Sequence, residues 1–244
     1  MHVLISNDDG IFAPGIRALA KAAVERGHRV TICAPDSQRS AAGHAITLTR
    51  PLHAVKTEFD GLDAWAVDGT PADCVRLGLH LLKDDKPDFV LAGVNAGPNR
   101  GGAILYSGTV SAAMEGSMCG VPAAAVSRST FKEDGFETAA RLGIGLMEWA
   151  AEHPLPRGEI YNLNVPFGEV KGLLPASVSN EFICRAEYRL LEDGSYMVVD
   201  TPNELPETDP ASDLLLTRSG YATVSILTWN LQAKTKMDDL SGIM

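Results

Sequence analysis

No stretch of this chain approaches the ~20 consecutive apolar residues of a membrane span. Met1, His2 and Val3 lead straight into an apolar strand, without the basic and long apolar regions of a signal peptide. A cytoplasmic protein with no membrane partner is expected. Basic residues are in short supply: 21 Lys+Arg against 31 Asp+Glu leave a net charge of −10, a field that repels polyanions and argues against polymeric nucleic acid as a partner. A small phosphorylated substrate stays open, because one metal ion and a few backbone N–H groups neutralise a phosphate locally. Cys33, Cys74, Cys119 and Cys184 show no CxxC spacing and sit singly in apolar segments, as structural thiols of a reducing compartment do. A Ser/Gly-rich linker is missing too, so the 244 residues are expected to share one continuous core.

What is present is an alternation of apolar strands and amphipathic helices. His2 to Ser6 (HVLIS) reads as a buried strand that opens into Asn7-Asp8-Asp9-Gly10. Pro14 then opens a helix whose Ile16, Leu19, Ala20, Ala23 and Val24 share one face, and Gly27 stops it. A second strand, Val30 to Ala34, completes a βαβ half, and Pro35 opens a polar loop reaching Gly43. Thr70-Pro71-Ala72-Asp73 combines an N-cap, a first-position Pro and an acid at N3, and predicts the next helix. Asp88 to Gly93 and Pro122 to Ser127 are expected strands, each followed by a helix, the first entered through Ser107 to Ser111 and the second running from Phe136 to Ala151. The pattern predicts an α/β fold: a Rossmann-like, doubly wound, mostly parallel sheet over residues 1–166. Residues 167–244 read as a β-rich extension with a hairpin turn at Glu192-Asp193-Gly194-Ser195, no strong helix, and a tail from Trp229 to Met244.

Ligands of open α/β sheets bind outside the carboxyl ends of the strands, so the loops there carry the chemistry. Adjacent Asp8 and Asp9 have no basic neighbour in sequence, and a divalent cation relieves their repulsion; the competing reading is a turn and helix-entry signal. Ser107-Gly108-Thr109-Val110-Ser111 runs from a small turn into a helix, which makes either a phosphate cradle or a plain Ser/Thr cap. It lacks the Lys of a Walker motif. Asn95 and Asn99 lie in a Gly-rich loop, where their amides either serve substrate and metal or satisfy the loop backbone. Ser40 and His44 taken singly are a solvated Ser and a hydrogen-bonding His. No aromatic residue or base-reading motif can be placed near the phosphate turn from sequence, so broad base tolerance is expected.

Asn7-Asp8-Asp9-Gly10, Ala34-Pro35-Asp36 with Arg39-Ser40 and Gly43-His44, Gly69 to Val75, Gly93-Val94-Asn95 with Gly97-Pro98-Asn99, and Ser107 to Ser111, in this order, resemble the SurE family. The resemblance recurs at Asn162 to Pro166 and touches Gly220-Tyr221 and Val224-Ser225. It implies a Rossmann-like core with a hairpin extension, and a homodimer or homotetramer built partly by exchanged C-terminal elements. The implied activity is metal-dependent hydrolysis of nucleoside 5′- and 3′-monophosphates, with short polyphosphate a further substrate of some members. The implied metal ligands are Asp8, Asp9, Ser40 and Asn95, and the implied phosphate turn is Ser107, Gly108 and Thr109. An all-oxygen shell suits one Mg2+ or Mn2+ per subunit. In the resulting mechanism Asp8 orients or deprotonates the attacking water, Asn95, Ser107 and Thr109 join it in catalysis, and Asn99 is a further phosphate contact. The competing classes are a non-catalytic nucleotide-binding sensor and a sugar-nucleotide transferase.

Overall fold

A computed structural model of the chain describes residues 1–130, 135–180, 185–201 and 207–232. The first half alternates β1 (His2–Ser6), α1 (Pro14–Glu25), β2 (Arg29–Pro35), β3 (Ala54–Phe59), β4 (Leu62–Val67), α2 (Pro71–Leu81) and β5 (Phe89–Ala96). A 3-10 helix (Gly101–Tyr106) leads into α3 (Gly108–Met118), β6 (Ala123–Arg128), α4 (Glu137–Glu152) and β7 (Glu159–Val165). The remainder holds β8 (Leu173–Pro175), β9 (Arg185–Leu190), β10 (Tyr196–Thr201), α5 (Asp213–Arg218) and β11 (Ala222–Thr228).

Nine strands form one sheet in the order β3-β4-β2-β1-β5-β6-β7-β11-β8. From β4 across to β7 all neighbours are parallel, while β3 and β11 run antiparallel to β4 and β7. This is the Rossmann-like, doubly wound arrangement that the alternation predicts. The winding reverses between β1 and β5, and the crevice above that reversal is where a ligand fits.

Both faces of the parallel strands are covered, which is why β1 is buried at every position. One face packs Ile16, Leu19 and Ala23 of α1 and Ile144 and Met147 of α4; the other packs Val75 of α2 and Val110, Ala113 and Met114 of α3. The sheet therefore divides the expected continuous core into two layers. Helix α3 is buried from Gly108 to Ser117, which its run of Gly, Ser and Ala permits. Helix α2 starts on the capping box read from Thr70 and Asp73.

Three features depart from the sequence reading. Strands β3 and β4 fill a stretch that sequence left without elements; the outer one is mostly exposed, so its alternation carries little apolar signal. Asp60 and Gly61, both at positive φ, make the turn between them. Helix α5 stands in a region expected to hold no strong helix: six residues are too few for periodicity, yet Ser212 caps it and Asp213 and Arg218 suit its ends. Cys119 is exposed, whereas Cys33 and Cys74 are buried, and burial pushes the Cys33 thiol up to about 12. Cys184 and most of the C-terminal tail lie outside the described residues.

Strands β9 and β10 form a separate antiparallel hairpin, joined by the turn expected at Glu192 to Ser195. Its ends rejoin the body at one place: Ser177 bridges Ser212, Ser177 N donates to Ala211 O (3.1 Å), and Asp213 N donates to Ser177 O (2.8 Å). Among the described residues no helix is long and apolar enough to cross a membrane.

Candidate active site

The turn after β1 is shaped by Asn7, a fully buried residue whose Nδ2 donates to Gly10 O (2.9 Å). Asn7 thereby takes the turn-forming role and leaves both aspartates to other work. They do not start α1 either: its N-cap is Ala13, and its first turn holds no acid.

Asp8 is 5% exposed, and its Oδ1 accepts a 2.5 Å hydrogen bond from Thr109 Oγ1. Burial pushes its carboxyl up, against the pull of that hydroxyl and of the N–H groups of Thr109 and Gly108. Asp9 is partly buried and its Oδ2 accepts from Ala96 N (3.1 Å). Burial, and then the charge of Asp8, push its carboxyl up to about 6. Neither carboxylate is ion-paired among the described residues. Two adjacent acids held unpaired, each disfavoured as an anion, form a site that a cation stabilises.

The neutral ligand candidates belong to segments hydrogen-bonded to this pair, through Ala96 N to Asp9 and Arg39 N to Asp8. Asn95 is half-buried at the end of β5, and its Nδ2 is committed to Gly97 O (2.9 Å), which leaves its carbonyl oxygen as the donor for a cation. The strand bulges between Ala92 and Asn95, and Gly93 enables this: at φ +134° a Cβ there would stand 2.3 Å from Val126 O. Ser40 is exposed, its Oγ accepting from Gln38 Nε2 (2.9 Å), and its neighbour Arg39 donates through its backbone N to Asp8 O (2.7 Å). The β2 loop is thus stitched to the aspartate turn. Among the described residues no three His, Cys, Asp or Glu side chains are grouped so as to hold a metal ion, so the candidate donor set is two carboxylates plus amide and hydroxyl oxygens. That chemistry fits a hard divalent cation.

Ser107 is the N-cap of α3, accepting from Val110 N (3.1 Å), so the plain cap is real. It does not exhaust the turn, because the helix start is aimed at the Asp8 carboxylate. Gly108 makes that approach possible: a Cβ there would meet Asp8 Cβ at 2.7 Å and Pro71 Cγ at 2.9 Å. Gly108→Ala is expected to lower turnover at least tenfold, since a misplacement of about 1 Å at a reacting centre costs that much or more. Phosphate release by folded protein, verified by circular dichroism, checks it; near-normal turnover would show that this contact does not matter.

Asn99 makes its hydrogen bonds to residues other than the carboxylates. It is 6% exposed, its Nδ2 donates to Ser127 Oγ (2.8 Å), its backbone N donates to Asn164 Oδ1 (2.8 Å), and its carbonyl accepts from Asn162 and Asn164. The structure shows it fastening the β5 loop to β6 and β7. His44, read singly as a hydrogen-bonding residue, is one: its Nε2 lies 2.8 Å from Glu115 Oε2, while Arg76 donates to Glu115 Oε1 (3.0 Å). Burial raises the Glu115 carboxyl, but His44 and Arg76 outweigh it and hold the group below the usual range. This junction of the β2 loop, α2 and α3 escaped sequence reading. Its one signal is a lone acid between Ala113-Met114 and Gly116, inside a helix of small and apolar residues.

Comparison with known proteins supplies the rest. A family model described as "Survival protein SurE" matches residues 3–192. A protein named 5′-nucleotidase SurE from Prochlorococcus marinus (strain MIT 9301) is 50% identical over 169 residues, 68% of this chain and 63% of that one. The match therefore spans less than two thirds of that relative's length. Another of the same name, from Synechococcus sp. (strain JA-3-3Ab), is 40% identical over 251 residues, covering 98% and 96% of the two chains. The crystal structure of the SurE protein from Aquifex aeolicus superposes with a TM-score of 0.77 at 33% identity, covering 95% of each chain.

Proposed function

The chain belongs to the survival protein SurE family, and from that premise we propose that it is a divalent-metal-dependent phosphomonoesterase that hydrolyses nucleoside 5′-monophosphates. Nucleoside 3′-monophosphates and short polyphosphate are further substrates within the same proposal, since the chemistry at phosphorus is shared. One observation carries the reading. Asp8 is buried against the start of α3 with partly buried Asp9 beside it, neither of them ion-paired among the described residues, so groups suited to a cation adjoin groups suited to a phosphoryl oxygen. A protein that merely bound phosphate would gain nothing from two acids there.

Asp8, Asp9, Asn95 and Ser40 would hold Mg2+ or Mn2+, which when bound supplies Lewis-acid stabilisation of phosphoryl charge and activation of water. Asp8 is the group placed to orient the attacking water and accept its proton, and Thr109 fixes the orientation of Asp8. Ser107, Gly108 and Thr109 present donors to the equatorial oxygens as the transferring group flattens. Asn99, which fastens the β5 loop to β6 and β7, would be a further phosphate contact.

The test is release of inorganic phosphate from AMP, GMP, CMP and UMP with added Mn2+ or Mg2+. Comparable release from all four is expected. Nucleotide binding without release would favour a sensor, and transfer of a group to an acceptor would favour a transferase. Free, buried Cys33 and Cys74 accord with the proposed cytoplasmic setting.

We also propose self-association. A two-stranded hairpin is marginal alone in water, yet β9 and β10 expose Tyr188, Leu190, Tyr196, Met197 and Val198. A second copy is the proposed cover. Light scattering at micromolar concentration should report a dimer or tetramer, and a monomer would refute it.

A further inference from the structure

Asp8, Ser107 and Thr109 are each at most 5% exposed, so the reacting end of a substrate lies inside the crevice and the rest must leave across its rim. On the side of α3 that rim is the end of the 3-10 helix, where Leu105 is 64% and Tyr106 56% exposed. The backbone of Tyr106 is fixed: its carbonyl accepts from Gly43 N (3.1 Å), and the next residue donates from Ser107 N to Ile104 O (3.3 Å). Ile104 in turn packs against the α2 and α3 core. Yet among the described residues the Tyr106 ring meets no other ring, and its hydroxyl makes no hydrogen bond. A large apolar side chain is thus left open on a braced backbone, one Cα step of about 3.8 Å from the helix cap, which corrects the expectation that no aromatic residue stands near the phosphate turn.

We propose that Tyr106 is the platform on which the nucleobase of the substrate stacks. The inference rests on the nucleotidase reading and assigns a part of the substrate that the carboxylates and the α3 turn leave unheld. Every base offers a π-face, so a lone aromatic ring adds affinity without choosing among bases. Broad base tolerance and a distinct preference for nucleotides over other phosphate esters then have the same origin. Phe12, 61% exposed, follows the aspartate turn three residues after Asp9. It is the less favoured platform, because Tyr106 is contiguous with the phosphate turn itself.

The experiment compares AMP with ribose 5-phosphate, which keeps the sugar and phosphate but lacks the base. Tyr106→Ala should lower kcat/KM for AMP roughly 10- to 100-fold, chiefly through KM, and leave ribose 5-phosphate unchanged, while Tyr106→Phe retains wild-type values. Equal losses on both substrates, no loss on AMP, or a selective AMP loss in Phe12→Ala alone would overturn the platform. If wild type cleaves ribose 5-phosphate as efficiently as AMP, the stacking idea fails and the phosphatase reading survives. Release from neither substrate defeats the reading itself.

Discussion

Asp8→Asn is expected to lower phosphate release from AMP by about a thousandfold, within the range that general acid–base catalysis contributes, and saturating Mn2+ should not restore it. The substitution keeps size and an oxygen ligand, and Thr109 Oγ1 can still donate to the amide oxygen, so the fold should persist. What disappears is the negative charge and the basic site. Asp9→Ala should behave differently: it removes a ligand but no proton acceptor, so excess metal recovers part of the rate. Thr109→Ala falls between. The hydroxyl belongs to the proposed phosphate turn yet donates to Asp8, so its loss should cost both turnover and some metal affinity, where a purely phosphate-binding Thr would leave the metal alone. Metal titrations of activity paired with calorimetric binding separate the three. Asp8→Asn retaining more than a tenth of wild-type activity would sink the assignment.

Metal-free Asp9→Asn protein is expected to melt about 5 °C higher than wild type at pH 8 and at nearly the same temperature at pH 4. The reasoning follows proton linkage. Burial and Asp8 raise the Asp9 carboxyl from 3.8 to about 6, so between these values the folded state binds more protons than the unfolded chain. Stability without metal therefore falls as pH rises from 4 through 6, and above 6 the full cost remains. Allowing for solvent screening of a partly exposed group, that cost is ~2 kcal/mol. Asn carries no charge and escapes it; at pH 4 both side chains are neutral in the folded state and little of the difference is left. Mn2+ should reverse the order at pH 8, because only wild type keeps both charged ligands. Calorimetric melts at two pH values, with and without metal, decide it. A variant less stable than wild type under metal-free conditions at pH 8 would mean the pair is not electrostatically strained.

Sequence showed most of the frame that holds these residues. Consecutive signals were readable: the strand before Asn7, the capping box at Thr70, the small-residue helix after Ser107. The hairpin of β3 and β4 was hidden because a mostly exposed edge strand has little apolar alternation, although Asp60-Gly61 marks its turn. In the site, Asp8-Asp9 and Ser107 to Thr109 are contiguous runs whose chemistry shows in a few letters. That these two runs meet, with Thr109 donating to Asp8 across 101 positions, is a property of sheet order and of the space at Gly108. Glu115, bound to His44 and Arg76 from 71 and 39 positions away, is invisible to local pattern for the same reason.

The chain leaves the body at Ser177 and returns at Ser212, where Ser177 is hydrogen-bonded to Ala211 and Asp213 on either side of Ser212. The hairpin of β9 and β10 lies between these two points in sequence, far along the chain from the aspartates. Such a segment can be lengthened, shortened or exchanged with little change in the closure entropy of the rest, because that entropy varies only slowly with loop length. On the proposal that the hairpin carries self-association, assembly and catalysis are separable inheritances in this fold: a short linker from 179 to 209 should yield a monomeric enzyme, and a foreign hairpin grafted there should redirect association without touching the chemistry.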